Sequence, residues 1–270
     1  MVDRNIVGRL KEGITMLGIY FSGTGNSRYA LEVFLGKLDK TAKIFAIEDV
    51  NIANYIKENK ELVFSYSVQF SNIPKMLKDF VDRHKKLWKG KKIFVIATMG
   101  LFSGDGAGIL CRLLKKYGAE IIGGLHLKMP DSIGDEKILK RSIEKNRELV
   151  KRAEKKIDNA VKCMKNGKPP QEGIGFFYHV AGFFGQRLYF YSKTKQYTNK
   201  LKIDKKKCIG CSKCVGLCPM KNLSIENHLA KAGDRCTMCY RCINICTKKA
   251  ITLLGKNVIE QGTIEKYLLK

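Results

Sequence analysis

"CIGCSKCVGLCP", residues 208–219, places four cysteines within eleven positions, and "CTMCYRCINIC", residues 236–246, repeats the arrangement. Eight of the ten cysteines lie in these two runs; only Cys111 and Cys163 stand elsewhere. Thiols crowded this way can form disulfides, bind zinc or hold an iron–sulfur cluster. A secreted disulfide scaffold spreads its cysteines through a small domain. A structural zinc site prefers two CxxC pairs held well apart, so that four thiolates wrap one ion tetrahedrally. Here three cysteines recur at two-residue gaps, and the fourth follows after three residues. That spacing keeps three thiolates on one loop around a bulky cube and turns the fourth away. The ligands expected are Cys208, Cys211, Cys214, Cys218, Cys236, Cys239, Cys242 and Cys246, and the chemistry is one-electron transfer. Cys111, in "ILCRLL", reads as core, Cys163 lies late in a charged helix, and the four isolated histidines are assigned no chemistry.

A second constellation is "SGTGNS", residues 22–27, between an apolar run and an amphipathic one. The end of a strand facing a helix N-terminus is where an α/β sheet binds phosphate. A Walker A loop would carry Gly-Lys-Ser/Thr, and no lysine is present. The dinucleotide fingerprint wants a third glycine where Arg28 stands. What remains is a cradle of Ser22, Gly23, Thr24, Gly25, Asn26 and Ser27. The hydroxyls of Ser22, Thr24 and Ser27 can donate to phosphate oxygens, and the glycines let backbone amides close around them. Such a loop grips a terminal phosphate monoester with no basic residue of its own.

These residues need rigid elements to hold them. Five short apolar runs, 16–21, 42–47, 61–66, 92–98 and 119–127, alternate with helical segments near 26–38, 51–58, 73–87 and 104–117. That alternation predicts a doubly wound α/β parallel sheet. A long charged helix is expected over 135–167, and "GKPPQEG" (167–173) breaks it and marks a linker. An aromatic connector follows at 174–191, and the tail "GTIEKYLLK" reads as a short helix. The expected domains are an N-terminal extension (1–15), a phosphate-binding α/β domain (16–166), linker and connector (167–199), a small α+β two-cluster domain (200–256) and a tail (257–270). Met16 offers a second translation start, directly before the first strand.

The formal net charge is +26. The lysines are scattered along the chain rather than gathered in a stripe, so no nucleic-acid partner is expected. Two four-cysteine clusters at about −2 each and a phosphate held by "SGTGNS" would offset part of this charge. The basic surface that remains suits an acidic protein partner. No run reaches the roughly 18 apolar residues of a membrane span. The aromatic connector reads as a domain-docking segment, with a membrane-surface helix as the second reading. "MVDRNIVGRLKEG" has no apolar signal region, which points to the reducing cytoplasm.

The run CxxCxxCxxxCP resembles that of bacterial two-cluster ferredoxins, which implies two [4Fe-4S] clusters and a fourth cysteine that serves the opposite cluster. One set would be Cys208, Cys211, Cys214 and Cys246; the other Cys236, Cys239, Cys242 and Cys218. The second copy departs from the pattern with Thr247 in the place of proline, which keeps a backbone N–H near its cluster. "SGTGNS" resembles the FMN-phosphate loop of flavodoxins. That resemblance implies a ring site between the loops after the third and fourth strands, with Tyr66, Phe70 and Phe102 as flanking aromatics and Thr98, Met99 and Gly100 along its edge. The whole order looks like the flavodoxin–ferredoxin fusion proteins of anaerobes. It implies an electron-transfer protein that passes electrons between FMN and two clusters and on to a redox partner. A flavin-dependent reductase of a small acceptor such as a quinone, nitro compound or flavin is the alternative, and an iron–sulfur redox sensor a second one.

Overall fold

The computed structural model describes residues 16–70, 72–101, 105–175, 178 and 196–268. The N-terminal extension, Phe102 and most of the aromatic connector lie outside the described residues. Five parallel strands form one sheet: β1 (Leu17–Phe21), β2 (Lys43–Ala46), β3 (Glu61–Ser67), β4 (Lys92–Met99) and β5 (Glu120–Lys128). Their order, β2-β1-β3-β4-β5, is the flavodoxin-like doubly wound arrangement. Between the strands lie α1 (Asn26–Leu38), α2 (Ile52–Glu58), α3 (Lys75–Arg83) and α4 (Gly106–Lys116), and α5 (Ile143–Lys165) follows β5. Alternate strand residues face opposite layers, as a pleated sheet covered on both sides requires. Leu62, Phe64, Ile93 and Val95 pack under α2, α3 and α4. Val63, Phe94, Ile96 and Leu125 pack under α1 and α5, where the Phe34 and Phe94 rings stack 5.2 Å apart.

The expected long helix is shorter than its charge pattern suggests. Helix α5 starts at Ile143, where Ser142 Oγ accepts from Lys145 N at 3.3 Å. The preceding stretch, 129–142, has no α-helix because tertiary bonds claim it. Asp135, 3% exposed, accepts from Leu253 N (2.6 Å), Leu254 N (3.0 Å) and Tyr240 Oη (3.0 Å). The breaker "GKPPQEG" does end the helical pattern, but it does not hang free. Gly124 N donates to Pro170 O (2.8 Å) and Glu172 N to Gly124 O (2.9 Å), laying this segment along β5. Gly123 and Gly124 permit the approach: a Cβ there would lie 2.5 Å from Pro170 O and 2.7 Å from Glu172 O.

The cysteine region folds as two interlocked copies of strand, ligand loop, short helix and strand. The first copy is β6 (Lys202–Ile203), α6 (Lys213–Leu217) and β7 (Leu223–Glu226); the second is β8 (Leu229–Ala232), α7 (Arg241–Ile245) and β9 (Ile251–Thr252). Strand β6 pairs antiparallel with β9, and β7 with β8, so neither copy closes without the other. The described part of the tail forms a short 3₁₀ helix, Ile264–Lys266, which docks: Ile264 N donates to Thr24 O at 2.9 Å and Tyr267 is buried.

Candidate functional site

A cavity of about 350 Å³ lies at the carboxyl ends of β1, β3 and β4, the crevice where this strand order binds ligands. Its walls include Ser22, Thr24, Thr98, Met99 and Gly100, together with Phe70. Gly23, Asn26 and Ser27 line it as well. Gly25 instead turns away at φ 91°, facing the tail, where a Cβ would meet Ile264 Cγ2 at 2.5 Å.

The loop is organised for an acceptor-rich ligand. Ser22 Oγ is buried without a hydrogen-bond partner, at the base of α1 where peptide N–H groups are unsatisfied. An orphaned buried hydroxyl at a helix N-terminus fits a phosphate oxygen. Ser27 differs from its expected role. Its Oγ lies 2.8 Å from Thr98 Oγ1, and Thr98 Oγ1 has the Tyr66 carbonyl at 3.3 Å to donate to. That proton count leaves Ser27 donating to Thr98, so Ser22 and Thr24 are the hydroxyls available to a phosphate. Tyr66 is also corrected: it is fully buried in the layer under α4, its hydroxyl donates to Gly106 O, and it does not line the cavity. Phe70 does line it, at φ 46°, with its ring 6.4 Å from that of Tyr197.

The remaining walls come from residues the sequence reading did not nominate. Pro130, Asp131 and Ile133 close one side, and Met238, Cys239 and Tyr240 of the cysteine region close another. Burial pushes the Asp131 carboxyl above the ordinary carboxylate range, while its bond from Ile133 N and the charges of Lys140 and Arg141 pull it back. The cysteine region is bolted to the sheet at this edge. Arg241 Nε donates to Ser22 O (3.0 Å), its guanidinium pairs with Glu48 and lies 5.4 Å from the Phe21 ring centroid. Asn244 Nδ2 donates to Ser132 O at 2.9 Å, and Gln69 Nε2 to Met238 O at 3.2 Å. Gly23 is needed for this approach, since a Cβ there would stand 2.1 Å from Cys239 O.

All ten cysteines are free. The eight in the two motifs surround two small voids. Cys208, Cys211, Cys214 and Cys246 line one; Cys218, Cys236, Cys239 and Cys242 line the other. These are the crossed sets, three cysteines from one copy and the fourth from the other. Burial raises the thiols of Cys214, Cys236 and Cys242, and Cys239 to about 11. Iron bound in such a place supplies the positive charge that keeps buried sulfurs as thiolates. Among the described residues no group of three or more His, Cys, Asp or Glu is drawn close enough for a single metal ion. The four-sulfur voids are what the geometry offers. Backbone N–H groups point at the sulfurs: Asn222 N to Cys218 (3.3 Å) and Ala250 N to Cys246 (3.4 Å), the same four-residue step in each copy. Thr247 lines the first void and leaves that bond in place.

Cys239 lines both the large cavity and the second cysteine void. The first void lies farther out, with Lys213 and Lys248 on its wall and Cys211 and Ile209 exposed beside it. Among the described residues no helix is long and apolar enough to cross a membrane.

Residues 200–247 match the family model described as "4Fe-4S dicluster domain". No curated protein sequence matches the chain. Among solved structures, a flavodoxin from the domain Archaea is 17% identical over 55% of this chain and 99% of its own, with a TM-score of 0.38. The flavodoxin of Megasphaera elsdenii is 20% identical over 52% and 99%, with a TM-score of 0.40. Flavodoxin 2 of Bacillus cereus is 18% identical over 56% and 97%, with a TM-score of 0.42. The chain places a sheet of flavodoxin-like strand order before a segment that matches a 4Fe-4S dicluster domain, and that segment points to a role in electron transfer or oxidoreduction.

Proposed function

We propose that the chain holds one FMN against two [4Fe-4S] clusters and carries electrons between them and an acidic redox protein. The observation that carries this reading is Cys239, one residue shared by the wall of the large cavity and the wall of the nearer cysteine void. FMN exchanges two electrons and each cluster one, so such a set converts between two-electron and one-electron carriers. Ser22, Thr24 and the loop amides hold the phosphate. Met99, Gly100, Phe70 and Tyr240 flank the ring site and exclude water from it. Cys218, Cys236, Cys239 and Cys242 hold the cluster beside the cavity; Cys208, Cys211, Cys214 and Cys246 hold the outer one. The exposed edge at Ile209 and Cys211 adjoins Lys207 and Lys213, both exposed, a basic rim that steers an acidic partner.

Anaerobically purified protein is expected to carry about eight irons and one FMN per chain. Two zinc ions and no iron would end the cluster reading. Intact clusters accompanied by FAD, or by no flavin, would end the FMN reading.

NADH is expected to reduce the protein poorly. The loop after β1 has Arg28 where a dinucleotide site needs a third glycine, and the tail covers Gly25. Reduced ferredoxin should bleach the clusters quickly under the same anaerobic conditions. Rapid, saturable bleaching by micromolar NADH would contradict this.

A further inference from the structure

The two cysteine loops align residue for residue, and their differences are informative. In the first copy Gly210 and Ser212 adopt left-handed backbone, at φ 66° and 61°. Their counterparts in the second copy, Met238 and Tyr240, adopt it too, at 57° and 61°. Glycine takes this conformation freely and a methionine or tyrosine does not. The first loop shows that the ligand geometry is met by small residues. Something other than the cluster must favour the large ones.

That difference follows the cavity. Ser212 is exposed, whereas Met238 and Tyr240 are 5% and 3% exposed and both line the large cavity. The next residue follows the same trend: Lys213 is exposed, whereas Arg241 binds the Ser22 carbonyl and Glu48. Strain at buried aromatic and thioether side chains that face a ligand cavity marks a functional demand.

We infer that the flavin site is a composite one, completed by the dicluster domain: Met238 and Tyr240 form one wall of the ring site, and FMN binding is coupled to assembly of the cluster held by Cys218, Cys236, Cys239 and Cys242. The inference rests on the FMN reading given above. Asp135 is the positioning residue, because its carboxylate accepts the Tyr240 hydroxyl at 3.0 Å while two backbone N–H groups anchor it. Cys236, Cys239 and Cys242 bracket Met238 and Tyr240, so iron bound to them fixes the wall. By linkage, whatever fixes the wall strengthens FMN binding, and bound FMN stabilises the loop in return.

The test uses the full chain, reconstituted anaerobically with iron and sulfide, with FMN titrated by fluorescence quenching and iron counted in each sample. Tyr240→Ser and Met238→Gly install the residues of the first copy. Tyr240→Ser is expected to weaken FMN about tenfold with iron unchanged. Tyr240→Phe keeps the ring but loses the bond to Asp135, so it should weaken FMN by an intermediate amount, about threefold, again with iron unchanged. Cys236→Ala with Cys242→Ala removes the nearer cluster and should weaken FMN. Cys208→Ala with Cys214→Ala removes the outer one and should not. If Tyr240→Ser and Met238→Gly keep their iron and bind FMN as wild type does, the inference is overturned. If Tyr240→Ser loses iron, the two cluster doubles decide, and equal FMN affinity in both overturns it. A wild-type protein with intact clusters and no affinity for FMN overturns the flavin reading itself, and this inference with it.

Discussion

The protein carrying Cys218→Ala together with Cys242→Ala is expected to keep about four irons, whereas Cys218→Ala together with Cys214→Ala loses both clusters. The grouping of cysteines around the two voids dictates this difference. Cys218 ends the first motif in sequence, yet it lines the void of the second. Its Sγ accepts from Asn222 N at 3.3 Å, as Cys246 Sγ does from Ala250 N at 3.4 Å, and each fourth cysteine lines the void of the other copy. Single substitutions cannot reveal this, because either ligation pattern loses one cluster. The doubles separate them. Iron counts and electron spin resonance read the outcome, with circular dichroism showing that both variants fold. The reverse result, with Cys214/Cys218 retaining one cluster and Cys218/Cys242 retaining none, would show that each motif ligates its own cube.

Gly23→Ala is expected to lose flavin while Gly36→Ala keeps it. A Cβ on Gly23 would stand 2.1 Å from Cys239 O, with backbone on both sides, so neither partner can yield by turning a side chain. Separating them costs about 1–3 kcal/mol as overpacking does, and it shifts the loop amides that receive the phosphate. FMN affinity should fall about tenfold or more. Gly36 lies within α1 with nothing within 4 Å of the added Cβ. Alanine there should stabilise the chain by about 0.5–1 kcal/mol through helix propensity. Flavin titration and thermal unfolding of the two variants check both halves. Unchanged FMN affinity in Gly23→Ala would show that the contact between the two loops does not shape the site.

The strands were legible because each is a short apolar run ended by turn or charged residues, and burial on both faces demands that composition. The nearness of three cysteines within each motif was legible from spacing alone; the structure adds the grouping of all eight around two voids. Tyr66 was misplaced for a reason the sequence contained: in a strand it shares a face with Leu62 and Phe64, and both are core. The start of α5 was hidden because Asp135, Glu136 and Lys137 look like a helix surface. The partners that override local propensity, Tyr240, Leu253 and Leu254, lie more than a hundred residues away. The same distance hid the Met238–Tyr240 wall. Its local trace was a methionine and a tyrosine in one loop where the twin loop has glycine and serine.

Anaerobic stopped-flow absorbance of the loaded protein mixed with reduced ferredoxin reads the electron path through Cys239. Cluster bleaching should precede flavin reduction in the wild type. In the Cys236/Cys242 double, saturated with FMN, the fast phase of flavin reduction should disappear, because the cluster beside Cys239 is the only step between the outer cluster and the cavity in this account. Flavin reduction at the wild-type rate in that double would contradict an electron path through Cys239.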